Sequence, residues 1–236
     1  LGKLTVGPST FTVTGGSAYS LSFNSMYLHG NTTLAPSSAG LVIEGSTSDF
    51  GGSARAASLG LASGTAFAVT KTGANDLYFN SSPSFGGGIV INQGALRTGL
   101  SPSIDTSKSS SAIYYPFNTS VNYGQGTIRL NNGGGVRVDT PATLGPGQQI
   151  VVSSSATAAA SVRLSTEATA GFSMAFLQTA ISNEGTGGIL GLEGVNVAGA
   201  TVSYTGAINM ALIGDGTWYL TATTNSGAFN GVLKPG

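Results

Sequence analysis

The chain has 236 residues, of which 37 are glycine and none is cysteine, and its nine lysine and arginine residues balance nine acidic ones. Charged residues make up 8% of the sequence, against about 25% in an ordinary globular protein. A nucleic-acid partner needs a basic excess, and a disulfide framework needs cysteine, so both are excluded. No apolar run is long enough to form a transmembrane helix.

The start of the chain carries no signal-peptide pattern and no initiating methionine. We therefore expect a processed product, or a segment or repeat unit of a longer chain or fibre, with residues 1–236 forming a single domain. Low charge without cysteine is typical of secreted bacterial surface proteins. The composition thus predicts an extracellular or bacterial cell-surface location.

Short runs of alternating apolar residues recur along the chain and are bounded by Gly, Asn, Ser or Pro. They lie at residues 4–6, 11–13, 41–43, 89–91, 128–130, 136–138, 150–152, 162–164, 195–197 and 218–220. These runs are shorter than sandwich strands of about 5–6 residues. They predict an all-β parallel β-helix (β-solenoid), in which small strands stack about 4.8 Å apart. The alternative is an antiparallel β-sandwich or jelly roll.

One segment departs from this alternation. Between residues 156 and 181 the chain is rich in alanine, and Phe172, Phe176, Leu177 and Ile181 follow a helical spacing. This spacing predicts a short helix over 172–181.

The two ends of the chain resemble one continuous repeat when they are joined. In that alignment Val232, Lys234, Gly236, Leu4 and Val6 match residues 69, 71, 73, 77 and 79. The Lys-x-Gly turn is expected to end a strand, with its glycine at positive φ. The pattern predicts head-to-tail continuation of copies, as a homopolymer or tandem repeat. The residues assigned to these assembly ends are Leu1, Lys3, Leu4, Val6, Val232, Lys234 and Gly236.

The segment from Lys71-Thr72-Gly73 to Leu96 resembles the passenger-associated repeats of bacterial autotransporter-type surface proteins. Phe85 is its aromatic residue, Gly87-Gly88 its glycine turn and 91–96 its closing strand. A partial second copy runs from Asn225 to Gly236, with Pro235 in place of the usual threonine. The resemblance implies a right-handed parallel β-helix on the outside of a bacterium. It implies no catalytic residue, because the repeat is structural.

The sequence contains no recognisable catalytic, cofactor-binding or metal-binding motif. His29 is the one histidine, and it lacks both a Gly-x-Ser-x-Gly nucleophile and further metal ligands. The acidic and basic residues are scattered, so we expect isolated surface charges and no enzyme. The alternative is a polysaccharide-binding or polysaccharide-cleaving β-helix, which would bring Glu193 and Asp215 together from neighbouring coils.

The densest aromatic cluster follows a serine-rich stretch, which is expected to form a surface loop. Tyr114, Tyr115 and Phe117 are candidate surface-contact residues, with surface glycans as the partner, because tyrosine combines an apolar face with a polar tip. The competing interpretation is a loop that anchors itself on the flank of the fold.

Overall fold

The protein is described by a computed structural model. It describes residues 1–16, 19–49, 66–98, 103–104, 113–114, 121–165, 172–193, 202–204, 208–214, 216–222, 227–229 and 233–234. This part of the chain is rich in β-strand, and most of its strands belong to three parallel sheets. No helix within it is long and apolar enough to cross a membrane.

The strands are numbered in chain order. The three-stranded sheet contains β1 (Lys3–Val6), β4 (Ser25–Leu28) and β7 (Thr47–Asp49). The seven-stranded sheet contains β2 (Thr10–Val13), β5 (Thr32–Pro36), β8 (Val69–Lys71), β10 (Ile89–Ile91), β14 (Ile128–Leu130), β16 (Ile150–Val152) and β18 (Ile181–Asn183). The eight-stranded sheet contains β3 (Ser20–Phe23), β6 (Gly40–Ile43), β9 (Leu77–Phe79), β11 (Gly94–Thr98), β15 (Gly134–Val138), β17 (Ala160–Ser165), β19 (Gly188–Glu193) and β22 (Trp218–Ala222).

Three small sheets complete the described strands. They pair β12 (Ser103–Ile104) with β13 (Ile113–Tyr114), β20 (Val202–Tyr204) with β23 (Gly227–Phe229), and β21 (Ile208–Asn209) with β24 (Leu233–Lys234). Short 3-10 helices span Pro141–Thr143, Ala156–Ala158 and Met210–Leu212.

Strand order in each large sheet follows chain order, because the chain passes from sheet to sheet and returns to add one strand beside the previous one. All described pairs are parallel except β12 with β13. The antiparallel sandwich or jelly roll is therefore wrong for the described sheets. The physical reason is that successive strands of one sheet are separated by a stretch of chain that passes through the other sheets, so the chain returns in the same direction, whereas tight hairpins would reverse it.

Apolar side chains line up across the eight-stranded sheet without a shift of register. One column of directly paired residues runs through all eight strands. Its members, in order, are Leu21, Leu41, Leu77, Leu96, Val136, Val162, Leu190 and Leu220. The six inner members are fully buried, and they form part of one continuous core. The period-two alternation in the sequence places these residues on the same face of every strand.

The predicted helix is confirmed with slightly shorter bounds, as the α-helix Met174–Ala180. Ser173 caps it, since its hydroxyl accepts a hydrogen bond from the Phe176 backbone N–H at 3.2 Å. Leu177 is buried, and the Phe172 and Phe176 rings lie 5.6 Å apart. The helix thus packs one apolar face beside β18.

The Lys-x-Gly turn has the predicted conformation. Strand β8 ends at Lys71, and Gly73 has a φ of +79°. A Cβ atom at Gly73 would lie 2.6 Å from the carbonyl oxygen of Pro36 in the preceding pass of the chain. Two features of this position therefore require glycine: the left-handed backbone conformation and the close approach of the Pro36 carbonyl oxygen.

Gly73→Ala is expected to lower the free energy of unfolding by about 2–3 kcal/mol, since left-handed backbone strain adds to a clash with rigid backbone. Gly147→Ala is the matched control, because Gly147 has a φ of +70° but no atom within 4 Å of the position that an added methyl group would take. Its loss should be about 1 kcal/mol. Equal losses in urea unfolding of the two variants would contradict the role of the close approach.

Candidate assembly interface

One end of the sheets is formed by the first three strands. Strands β1, β2 and β3 are each the outermost member of their sheet, with a parallel partner on one side. Residues 1–23 contain a single charged side chain, Lys3. Exposed sheet edges are usually protected by charges, proline or bulges against pairing with another chain. Here Lys3 and Pro8 supply protection of this kind, and Leu1 covers part of the β3 edge, since its ammonium donates to the Ser22 carbonyl oxygen at 2.8 Å.

The backbone of β2 shows which groups face outward. The carbonyl oxygens of Ser9 and Val13 accept hydrogen bonds from Thr33 and Ser37 of the next pass, at 3.0 and 2.9 Å. In a parallel strand the N–H and C=O of one residue point the same way, and successive residues alternate. Thr10 and Thr12 therefore direct their backbone groups away from β5, at the outer edge.

Among the described residues, β18 and β22 are the last strands of the two larger sheets, and the Thr217 N–H of the next pass donates to the Gly185 carbonyl oxygen just after β18 at 3.2 Å. Within the described part of the chain, four large hydrophobic side chains are exposed. Leu1 and Tyr19 are 69% and 73% exposed beside β3, Tyr219 in β22 is 50% exposed, and Leu212 in the 3-10 helix Met210–Leu212 is 46% exposed.

The assembly-end residues predicted from the sequence are partly described. Leu4 and Val6 are buried in β1, whereas Leu1 is exposed and the Lys3 ammonium lies 4.3 Å from the centre of the Tyr27 ring. Lys234 belongs to β24, whose partner is β21. Val232 and Gly236 lie outside the described residues.

The repeat alignment of the joined ends agrees with the structure in burial but not in position. Leu4 and Val6 are buried like their aligned residues Leu77 and Phe79. Strand β1, however, pairs with β4 in the three-stranded sheet, whereas β9 lies in the eight-stranded sheet. The first strand is therefore not a direct continuation of the last one in the sense that the alignment predicts.

The candidate surface-contact and polysaccharide residues fall largely on other parts of the chain. Tyr114 lies in β13 and Glu193 in β19, and for both the structure describes the backbone alone. Tyr115, Phe117 and Asp215 lie outside the described residues. Both the glycan contact and the acid pair stay predictions.

The expectation of isolated surface charges is wrong for several residues. The Arg137 and Asp139 side chains pair at 2.6 Å and are 3% and 0% exposed. Arg97 is also buried, and its Nε lies 2.7 Å from the Asp76 carboxylate. Scattering in sequence hides these pairs, since the stacking of successive passes brings distant residues together.

The Arg137–Asp139 pair belongs to a larger buried polar cluster. The Asp139 carboxylate accepts a hydrogen bond from the Thr98 hydroxyl at 3.0 Å, and the Tyr123 hydroxyl donates to the Arg137 carbonyl oxygen. Burial raises the pKa of Tyr123 well above its ordinary value of 10.0, and the charge of Asp139 raises it further. The cluster ties strands β11 and β15 to the segment before β14.

Lys71 occupies a position in the core that neighbouring strands fill with Leu34 and Ile91. Its side chain is fully buried, and its ammonium donates to the carbonyl oxygens of Thr72, Gly73 and Gln93 at 3.2, 2.9 and 2.7 Å. Burial lowers the pKa of Lys71 from 10.5 to about 8, and the nearby charge of Asp76 partly opposes this shift. The lysine fastens its own turn to the turn of the next pass.

The sequence carried a signal for one of these buried charges that its interpretation missed. Lys71 stands two residues after Val69, at the position that the alternation assigns to the inward face of the strand.

The described residues offer no group of three or more potential metal-ligating side chains. His29 follows β4, is half-buried, and its backbone N–H donates to the Val6 carbonyl oxygen at 2.8 Å. Comparison of the chain with protein-family models, with curated proteins and with solved structures found no match.

Proposed function

We propose that the chain is a segment of a right-handed parallel β-helix and serves as a structural subunit of an extracellular filament, sheath or adhesin stalk. Copies continue head to tail through the open ends, without catalysis or a cofactor. The setting is the bacterial surface, in keeping with the resemblance of 71–96 to autotransporter passenger repeats.

The observation that carries this proposal is the state of the eight-stranded sheet at its two ends. Its described strands are parallel and follow chain order from β3 to β22, and exposed apolar side chains such as Tyr19 and Tyr219 lie at or next to the two outer strands. A parallel sheet can add a further strand at either edge by the hydrogen bonding that it already uses. Right-handedness follows the rule for connections between parallel strands of one sheet, about 98% of which are right-handed.

Stiffness is the property that such a subunit supplies. Seven spacings of about 4.8 Å give the eight-stranded sheet a length of about 34 Å along the stack. Each pass is tied to the next by backbone hydrogen bonds, by the buried apolar columns and by bridges such as that of Lys71. The proposed structural role therefore depends on the length of the stacked sheets and on the unbroken contacts between successive passes.

The resemblance to passenger repeats agrees with a structural role of the motif residues. Phe85 is fully buried and its ring lies 6.2 Å from that of Phe79, while Gly88, in the glycine turn, has a φ of +79°. The motif residues thus fill the core and shape the turns.

Thr12→Pro tests the proposal, because it removes an outward-facing N–H of the edge strand β2 without breaking a hydrogen bond within the chain. Negative-stain electron microscopy is expected to show filaments of the native chain and discrete particles of the variant. Thr12→Val is the matched control, since it keeps the N–H and removes only the hydroxyl.

Thermal unfolding distinguishes a defect in assembly from a defect in folding. Under conditions where all three proteins are monomeric, the free energy of unfolding of both variants should lie within about 0.5 kcal/mol of that of the native chain. Discrete monomers of the native chain at high concentration would overturn the proposal. So would filaments of Thr12→Pro as abundant as those of Thr12→Val.

A further inference from the structure

We propose that the face of the eight-stranded sheet that points away from the core binds a carboxylated polysaccharide, with the Arg163 guanidinium pairing with a sugar carboxylate. The site lies on strands β17, β19 and β22, and we call it the Arg163 patch. Its members are Ser161, Arg163, Ile189, Gly191 and Tyr219. Binding at this patch does not depend on head-to-tail assembly.

Three arginines occupy adjacent positions on this face. Arg163 stands between Val162 and Leu164, which are fully buried, so alternation puts it on the side away from the core. The register pairs Arg137 directly with Arg163, and the register of β11 with β15, continued by one residue, places Arg97 beside Arg137. Neighbouring strands are about 4.8 Å apart. Like charges at directly paired positions repel one another unless anions neutralise them.

The first two arginines have carboxylate partners, whereas the third does not. Arg97 pairs with Asp76 and Arg137 pairs with Asp139, at 2.7 and 2.6 Å. In the described part of the chain Arg163 has no such partner, and its Nε atom is buried without a hydrogen bond. A buried donor that lacks an acceptor is destabilising. An anionic group bound at Arg163 would supply the acceptor and neutralise the third charge of the column.

The strand beyond Arg163 leaves room for such a group. Gly191 of β19 is paired directly with Arg163 and carries no side chain, while Ile189, two residues earlier, is partly buried. Tyr219 of β22 is paired with Ile189 and is 50% exposed. Arg163 and Tyr219 therefore flank the surface formed by Gly191 and Ile189.

The chemistry of the Arg163 patch matches a chain of sugar acids. Arginine binds a carboxylate through two parallel hydrogen bonds. The exposed tyrosine offers an apolar ring face on which a sugar ring packs, together with a polar tip. The partly exposed Ser161, two residues before Arg163, adds a hydroxyl that both donates and accepts. A neutral glycan would leave the charge of Arg163 uncompensated, so the expected ligand is a uronic-acid polysaccharide.

Surface plasmon resonance with immobilised polygalacturonate tests the site. The native chain is expected to bind this polymer but not neutral dextran, with an affinity that falls as the salt concentration rises. Arg163→Gln keeps an amide but removes the charge, and it should lower the affinity by about tenfold. Arg163→Lys keeps the charge but loses the planar fork, so its loss should be smaller. Arg129→Gln is the matched control: Arg129 already pairs with Glu184, and its variant should stay within about twofold of the native affinity.

Two further variants test the surroundings of the arginine. Tyr219→Ala should lower the affinity by about threefold or more, whereas Tyr19→Ala, at an equally exposed tyrosine beside β3, should leave it unchanged. Glu193 follows Gly191 by two residues on β19. Glu193→Gln removes this acidic residue, so its affinity should equal or exceed that of the native chain, and a fall would contradict the charge argument.

Absence of binding to polygalacturonate, or equal affinities of Arg163→Gln and Arg129→Gln, would overturn the proposal. Binding of dextran sulfate or polyglutamate as tight as that of polygalacturonate would also overturn it, because negative charge alone would then suffice. Thermal unfolding shows whether Arg163→Gln keeps its fold, and Arg163→Lys carries the comparison if it does not. Each of these outcomes leaves head-to-tail assembly standing, since Thr12→Pro tests that assembly separately.

Discussion

Arg137→Met is expected to lower the free energy of unfolding by about 3–5 kcal/mol, because it leaves the carboxylate of Asp139 buried without its cationic partner. The Asp139 side chain is fully buried and lies 2.6 Å from the Arg137 guanidinium. The methionine fills much of the same volume, so the loss reports on charge rather than on a cavity. Urea unfolding at neutral pH measures it.

Two further variants identify the cause of that loss. Removing both charges, with Arg137→Met and Asp139→Leu together, should destabilise less than Arg137→Met alone, since no unpaired charge stays buried. Arg129→Met is the exposed control: the Arg129 and Glu184 side chains pair at 3.1 Å but are 41% and 58% exposed. Its expected loss is below about 1 kcal/mol. A loss for Arg137→Met no larger than this would contradict the buried-pair argument.

The free energy of unfolding is also expected to rise between pH 8 and about 9.5, at about 1 kcal/mol per pH unit, through Lys71. Burial holds the pKa of Lys71 at about 8 in the folded chain, whereas the ordinary value is 10.5. Between these values the unfolded chain binds more protons, so raising the pH favours the folded state. Below pH 8 both states hold the proton and this contribution is constant.

Lys71→Met provides the comparison, because methionine suits a position between Leu34 and Ile91 and cannot titrate. Denaturant unfolding at half-unit pH steps should give a rising curve for the native chain and a nearly flat one for the variant. The range stops below pH 10 because Tyr123 acts oppositely there: its raised pKa favours protonation in the folded state, so stability falls as pH rises. Parallel curves for the two proteins would rule out Lys71 as the source.

Much of the parallel-sheet architecture could be predicted from the sequence. The runs at 89–91, 128–130 and 150–152 are strands β10, β14 and β16, and their alternation gives the face that each side chain occupies. The helix near 172–181 and the positive φ of Gly73 were equally predictable, because both depend on local spacing and local backbone sterics. Features that depend only on a few neighbouring residues can be predicted from a single sequence.

The pairing of distant charges and the sheet to which each strand belongs were not predictable in the same way. Arg97 and Asp76 are 21 residues apart, and their contact depends on how many residues each pass of the chain contains. That number varies along the chain, so no fixed period brings such pairs into view. For the same reason the joined-end alignment matched β1 to β9 in pattern while the structure places them in different sheets.

The chain-order arrangement of the strands has a consequence for how the molecule is made. Within each of the three large sheets, every strand has for neighbours only the strands that the chain added to that sheet just before and just after it. Nearest-neighbour coupling of this kind lets structure propagate from one end, with each completed layer serving as the template for the next. A chain that emerges through a narrow passage could therefore fold as it arrives, and the stacking energy released at each step would oppose its slipping back.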